Sequence, residues 1–285
     1  MEKLKIIIDS ACDIPKEYIN KYDIELLPYR IIVDQDEYID GVTIDNETLF
    51  KFLEDKKEIT TTQVKATDYQ RVFKRCAKDG FKCIYLAFSS KMSGAYQTAK
   101  LVSEKVKDQY PNFEVEIIDT KSGSTAIGLL VEKAIKFKEQ SLSFEEIVNK
   151  LNLLSKRVEH IFTLENLERL KTGGRISKTT AFIGDLLDIK PILEVKNGKI
   201  KLFKKVRGYK RAYKKILKIM GKRSNNLKDQ IIGISYSGEK EKAIKLKEMI
   251  TEQIGAKNFM INMISNVLTV HLGTSGVGVF FINDK

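Results

Sequence analysis

The sequence predicts an α/β protein with largely parallel sheet in its first half and mixed sheet in its second. Three observations predict it. Short β-branched runs bounded by turn residues recur along all 285 residues, helical patterns with N-terminal capping signals lie between them, and strand and helix alternate. At roughly 150 residues per domain, the length suits one large domain or two ordinary ones.

The run at 4–8 opens the chain as a buried strand. Next, 29–33 and 37–39 flank the polar turn Asp34-Gln35-Asp36 and form a hairpin. Thr60-Thr61-Thr62-Gln63 reads as a polar loop between a charged helix end at 54–58 and a helix that Thr67 and Gln70 would cap. A strand at 83–88 runs through Ser89 to Gly94 into an amphipathic helix, and 115–118 is a further strand. A helix pair over 124–155, its second member started by a Ser143 and Glu146 capping box, has no strand between its members. That pair is the natural seam between two α/β domains, with the boundary near Arg157 and the domains at 1–157 and 158–285. Beyond it, strands are expected at 160–164, 231–236, 259–264 and 277–282. Asn197-Gly198 between 192–195 and 200–203 is a strong hairpin signal, which makes the second half mixed.

Apolar residues form 42% and charged residues 31% of the chain, values of a soluble globular protein that exclude disordered, collagenous and coiled-coil classes. Three cysteines and two histidines argue against a disulfide scaffold and a structural zinc site. No stretch reaches the roughly 18 apolar residues of a membrane span, so a cytoplasmic location is expected. The charge is concentrated. Residues 196–223 contain 13 basic side chains and no acidic one, while the rest of the chain is balanced at 37 against 38. Lys210, Lys214, Lys218 and Lys222 recur every fourth residue opposite an apolar face, which predicts an amphipathic helix with one cationic side. Such a patch suits an encounter with something acidic.

Four loops offer groups for chemistry. The threonines at 60–62 are hydroxyl donors suited to an anionic or carbonyl oxygen. Ser93 and Gly94 follow a strand and precede a helix, a place that favours anions, although Ser93 also suits a simple N-cap. Arg175 follows the Gly173-Gly174 pair that ends a short helix. His271 stands before Gly273, Gly276 and Gly278, where the backbone can approach a ligand closely. Ser93 and His271 invite comparison with a serine hydrolase pair, but no G-x-S-x-G elbow precedes the serine. The basic window raises a nucleic-acid-binding alternative, although only Tyr209 and Tyr213 are interleaved with it.

In order along the chain stand Asp9-Ser10-Ala11-Cys12-Asp13-Ile14-Pro15, Asp40-Gly41, Thr61-Thr62-Gln63, Ser93-Gly94-Ala95-Tyr96-Gln97 and Asp119-Thr120. Gly173-Gly174-Arg175-Ile176, Lys190-Pro191-Ile192, Arg207 and His271-Leu272-Gly273 follow. In order and spacing these resemble the DegV family, the fatty-acid-binding proteins that serve bacterial fatty acid kinase. Val64 departs from the family's usual proline, and Thr274-Ser275-Gly276 from its P-G-x. The resemblance implies a three-layer parallel-sheet domain and a smaller two-layer mixed-sheet domain. It implies one long-chain fatty acid as ligand in an apolar tunnel of the first domain, no other cofactor and no metal. Thr61, Thr62, Ser93, Gly94 and His271 would then bind the carboxylate, with Arg175 and Gly273 in the surrounding network. Arg207 would lie at the edge facing a separate ATP-dependent fatty acid kinase, and the cationic side of the helix, with Lys210 and Lys214, is expected to dock to an acidic surface on it. The chain itself would perform no chemistry, and no stable nucleic acid complex or transmembrane segment is expected.

Overall fold

The computed structural model of the chain describes residues 3–165, 167–177 and 188–285. The first half runs β1 (Leu4–Asp9), α1 (Lys16–Lys21), β2 (Glu25–Leu27), β3 (Arg30–Val33), β4 (Asp36–Ile39), α2 (Asn46–Glu54), β5 (Ile59–Thr62), α3 (Ala66–Lys78), β6 (Lys82–Ala87), α4 (Ala95–Gln109) and β7 (Val115–Asp119). Two helices follow, α5 (Thr125–Glu139) and α6 (Phe144–Ser155). The second half runs β8 (Val158–Thr163), α7 (Glu168–Thr172), β9 (Ile189–Lys196), β10 (Lys199–Arg207), α8 (Tyr209–Arg223), β11 (Ile231–Tyr236), α9 (Lys240–Ile254), β12 (Asn258–Met263), α10 (Asn266–Leu272) and β13 (Val277–Ile282).

Among the described residues, three sheets result. The order β2-β1-β6-β7 is parallel throughout. The order β10-β9-β8-β13-β11-β12 is mixed, with only β11 and β12 parallel. A small antiparallel sheet, β4-β3-β5, stands apart. Helix α5 lies between the two large sheets, touching β1 and β6 on one side and β11 and β13 on the other. Its sequence explains this: residues 125–131 are apolar or small on every face and all buried, the pattern of a helix with no solvent side. The chain therefore stacks outer helices, parallel sheet, α5, mixed sheet and the α8–α9 pair.

Several local expectations hold. The Ser143 capping box forms, with Glu146 N–H donating to Ser143 Oγ at 3.3 Å and Ser143 N–H donating to Glu146 Oε2 at 2.8 Å. Asn197 and Gly198 both take positive φ, as the tight β9–β10 turn requires. Helix α8 covers the predicted cationic segment and buries Ala212, Tyr213, Ile216, Leu217, Ile219 and Met220.

Two expectations fail. Thr67 caps nothing, because α3 starts one residue earlier at Ala66 and Lys65 precedes it without a side-chain cap. The threonine segment is not a loop but strand β5, paired with β3 through Ile31↔Thr61 and Arg30↔Thr62. Threonine's β-branch suits a strand as well as its hydroxyl suits a loop, and the pairing with the β3–β4 hairpin decides between them.

Candidate functional site

The loops after β1, β6 and β7 meet the cavity-facing side of the mixed sheet. Ligands of open α/β sheets sit beyond the carboxyl ends of the strands, and an apolar cavity lies there. Counted with the open space at its mouth, it measures about 880 Å³. Phe88, Met92, Phe162, Leu164, Leu268 and Phe280 are among the side chains that make it apolar. The walls come from both halves of the chain. An acyl tunnel confined to the first half is therefore not what the structure presents: β8, β9, β10, β13 and α10 supply much of the lining, because the cavity opens against the mixed sheet.

Polar groups gather at one end. His271, in the last turn of α10, has Nε2 2.9 Å from Thr61 Oγ1 on β5. Burial, and then the charge of Arg175, lowers its pKa to about 4, so it is a neutral imidazole at physiological pH. Gly173 must be glycine here, since a Cβ would come within 2.4 Å of His271 Nδ1. Arg175 also lines the cavity, and its guanidinium donates to the Gly173 carbonyl at 2.5 Å. Ser93 sits just before α4. Its Oγ accepts from Tyr29 Oη–H at 2.8 Å and from Ala95 N–H at 3.2 Å. A hydroxyl has two acceptor sites and one hydrogen. With both acceptor sites in use, the Ser93 hydrogen is left to donate elsewhere, and the cavity is beside it.

Of the expected binding residues, the structure brings Thr61, Ser93, Arg175 and His271 to this cavity. Thr62 is corrected. Successive strand residues point to opposite faces, so Thr62 is exposed and does not line the cavity. Gly94 and Gly273 shape the backbone rather than the cavity lining. A Cβ on Gly94 would come within 2.4 Å of Gln63 Oε1, and Gly273 ends α10 at φ +75°, ψ −170°, a conformation open essentially to glycine alone. Ser93 and His271 share no hydrogen bond among the described contacts: each has a different partner. The hydrolase pairing is thus absent.

Arg207, Lys210 and Lys214 are exposed and lie away from the cavity. Glu194 lies opposite Ile161 on the sheet face that α8 covers, where Arg223 donates to Glu159 at 2.7 Å and to Glu194 at 2.5 Å. Phe162 and Leu193 point the other way, and Phe162 faces the cavity. The basic helix therefore backs the cavity sheet on its far side. Its start still reaches the rim: Tyr209 Oη–H donates to the Ser275 carbonyl at 3.1 Å, in the loop after His271.

Sequence reasoning gave no structural role to the carboxylates that fix α10. Asp13 accepts from Ser265 N–H at 2.8 Å and from the Ser124 hydroxyl at 2.5 Å, and Asp40 accepts from Val267 N–H at 3.4 Å and Ser10 Oγ–H at 2.7 Å. Both meet the positive N-terminal end of α10, and the far end of that helix carries His271. Asp9 accepts from Tyr85 Oη–H at 2.6 Å and Phe88 N–H at 3.0 Å, holding the loop after β6.

These carboxylates make stability depend on pH. Burial pushes Asp13 up to about 7 and Asp9 up to about 6, against about 3.9 in an unfolded chain. The folded state then holds protons more tightly, so their ionisation costs stability at neutral pH, and the cost is relieved as pH falls from about 7 toward 4. The histidines oppose this. Burial lowers His160 to about 3 and His271 to about 4, so acidification below about 6.5 favours the unfolded chain. Asp13→Asn keeps an acceptor for Ser265 N–H and removes the buried charge. Its melting temperature should exceed that of the parent above pH 7 and converge with it near pH 4; a lower value above pH 7 would show that the charge itself stabilises α10.

Among the described residues, no helix is long and apolar enough to cross a membrane, and no group of three or more His, Cys, Asp or Glu is arranged to hold a metal. The family model for uncharacterised proteins of the DegV family matches residues 3–284. A DegV domain-containing protein of Clostridium acetobutylicum is 36% identical, covering 99% of both chains. Among solved structures, a stearic acid-binding protein from Eubacterium ventriosum superposes with a TM-score of 0.91 at 28% identity, covering 99% of this chain and 98% of that one. A fatty-acid-binding DegV family protein from Thermus thermophilus gives 0.90 at 25% identity, covering 99% of each. With the family model spanning nearly every residue, and with fold and motifs in agreement, this chain belongs to the DegV family.

Proposed function

We propose that this protein binds one long-chain fatty acid and presents its carboxylate to an ATP-dependent fatty acid kinase, which forms the acyl phosphate. The observation that carries the reading is the Ser93 hydroxyl, its acceptor sites filled and its hydrogen free, at the polar end of an otherwise apolar cavity. Thr61 is a second donor: when His271 Nε2–H donates to it, its own hydrogen is free for the ligand. Arg175 supplies positive charge at the same end. Burying an alkyl tail contributes about 0.8 kcal/mol per methylene, so the tail supplies affinity and the hydroxyls fix the head. The fatty acids bound by the Eubacterium ventriosum and Thermus thermophilus proteins support the ligand class.

In this reading the cytoplasmic chain is a carrier without catalysis of its own. Its two domains, 1–157 and 158–285, enclose the ligand between them, and Arg207, Lys210 and Lys214 dock the kinase. Native mass spectrometry of the purified protein should find one fatty acid per chain, released on denaturation and identifiable by its mass. Protein that stays empty after incubation with fatty acid would end the proposal.

A further inference from the structure

His160 occupies an unusual position. It is 2% exposed, it lies on β8 among the residues that line this cavity and also among those of a more polar cavity beside Glu159 and Glu194, and neither ring nitrogen has a hydrogen-bond partner. The Val158 carbonyl is near enough to favour protonation slightly but does not reach hydrogen-bond geometry. The ring instead packs edge-on against Phe280, with centroids 5.6 Å apart and an interplanar angle of 84°. Buried polar groups are nearly always paired, and an unpaired one asks for a partner that the protein does not itself supply. The other polar side chains on this wall are served: Ser124 and Ser235 bond each other at 2.9 Å, and Ser235 also bonds Thr125 at 2.6 Å.

The position along the cavity is also defined. Leu164 follows the end of β8 and stands against Gly276, where a Cβ would come within 2.9 Å of it, close to the loop after His271. At about 3.3 Å per residue, the strand carries His160 roughly 13 Å from that point. It therefore faces the tail of a bound chain and not its head.

We propose that His160 is a hydrogen-bonding subsite in the acyl cavity, selecting fatty acids that carry a hydroxyl on the distal part of the chain. A neutral imidazole offers one N–H donor and one lone pair, and a hydroxyl can answer either. A plain alkyl chain answers neither, and leaves the ring as it stands. The inference rests on the fatty acid reading of the same cavity.

The test compares stearic acid with singly hydroxylated stearic acids in which the hydroxyl moves one carbon at a time along the distal half. At one position or a narrow group of positions, the hydroxy acid should bind at least as tightly as stearic acid, although it loses more hydration. His160→Phe keeps the ring contact with Phe280 and removes both nitrogens. It should weaken binding of that hydroxy acid by about tenfold relative to stearic acid. Nitrogen NMR of the unaltered protein gives a readout free of any folding defect, since the His160 ring resonances should move with the favoured hydroxy acid and not with stearic acid. Stearic acid binding with no preference at any hydroxyl position, and equal NMR responses to both ligands, overturns the subsite alone. Failure of every acid to bind overturns the fatty acid reading with it.

Discussion

Ser93→Ala combined with Thr61→Val should weaken fatty acid binding by roughly a hundredfold to a thousandfold, while Thr62→Ala should leave it unchanged. A hydrogen bond to a charged acceptor contributes about 1.5 to 3 kcal/mol, and about 1.4 kcal/mol is a tenfold change in affinity. Two such bonds at one carboxylate are coupled, so their losses add incompletely. Val keeps the β-branched shape that β5 needs beside Ile31, and Ala at 93 removes an acceptor from both Tyr29 Oη–H and Ala95 N–H. Tyr29→Phe separates those effects, because it spares the Ser93 hydrogen and should weaken binding only a few-fold. Displacement of a fluorescent fatty acid measures each of these variants and the single Thr61→Val. Equal affinity in the double variant would place the carboxylate elsewhere in the cavity, and a loss in Thr62→Ala as large as in Thr61→Val would mean that β5 shifts register on binding.

The contrast between Thr61 and Thr62 shows where sequence patterns stop. Three adjacent threonines offer identical hydroxyls, and nothing within the run says which one faces inward. The answer lies in pairing with β3, some thirty positions away in the chain, and a one-residue slip would exchange the two. The elements with strong local signals were legible: the parallel strands β1, β6 and β7, the Asn197-Gly198 turn, the Ser143 cap and the cationic helix α8. Helix α10 was not. It has only seven residues, and its start is held by Asp13 and Asp40 from distant parts of the chain. Nothing in the run at 29–33 marks Tyr29 for the site; only the fold brings its hydroxyl to Ser93. His160 lies in a strand that the sequence predicts, but its unpaired nitrogens appear only when the neighbouring strands are in place.

The same limit applies to the basic segment, whose charge was legible but whose direction was not. Its lysines stand on a helix behind the cavity sheet, with only the N-terminal end reaching the rim through Tyr209 and Ser275. That geometry ranks the charges. Arg207 and Lys210 flank Tyr209, and Lys214 follows one turn later, whereas Lys218 and Lys222 lie progressively farther along α8. Lysines every fourth residue repel one another by about 0.2 to 0.5 kcal/mol per pair, and the Lys215 pKa is lowered by partial desolvation and then by Lys204, Lys218 and Lys222. A surface that accumulates this repulsion suits electrostatic steering of an acidic partner, which acts mainly on the association rate and fades with salt. Reversing Arg207, Lys210 and Lys214 together to glutamate should therefore abolish salt-sensitive acyl phosphate formation by the kinase, with fatty acid affinity unchanged. Reversing Lys218 and Lys222 instead should have a smaller effect, since these side chains lie farther from the rim. Turnover is measured with purified kinase, ATP and loaded protein over a range of ionic strength. If the first set of reversals leaves both the rate and its salt dependence intact, the patch is a solvated face and the kinase approaches from another side. If instead the unaltered protein carries nucleic acid that salt releases, the positive charge serves that partner and the docking assignment fails.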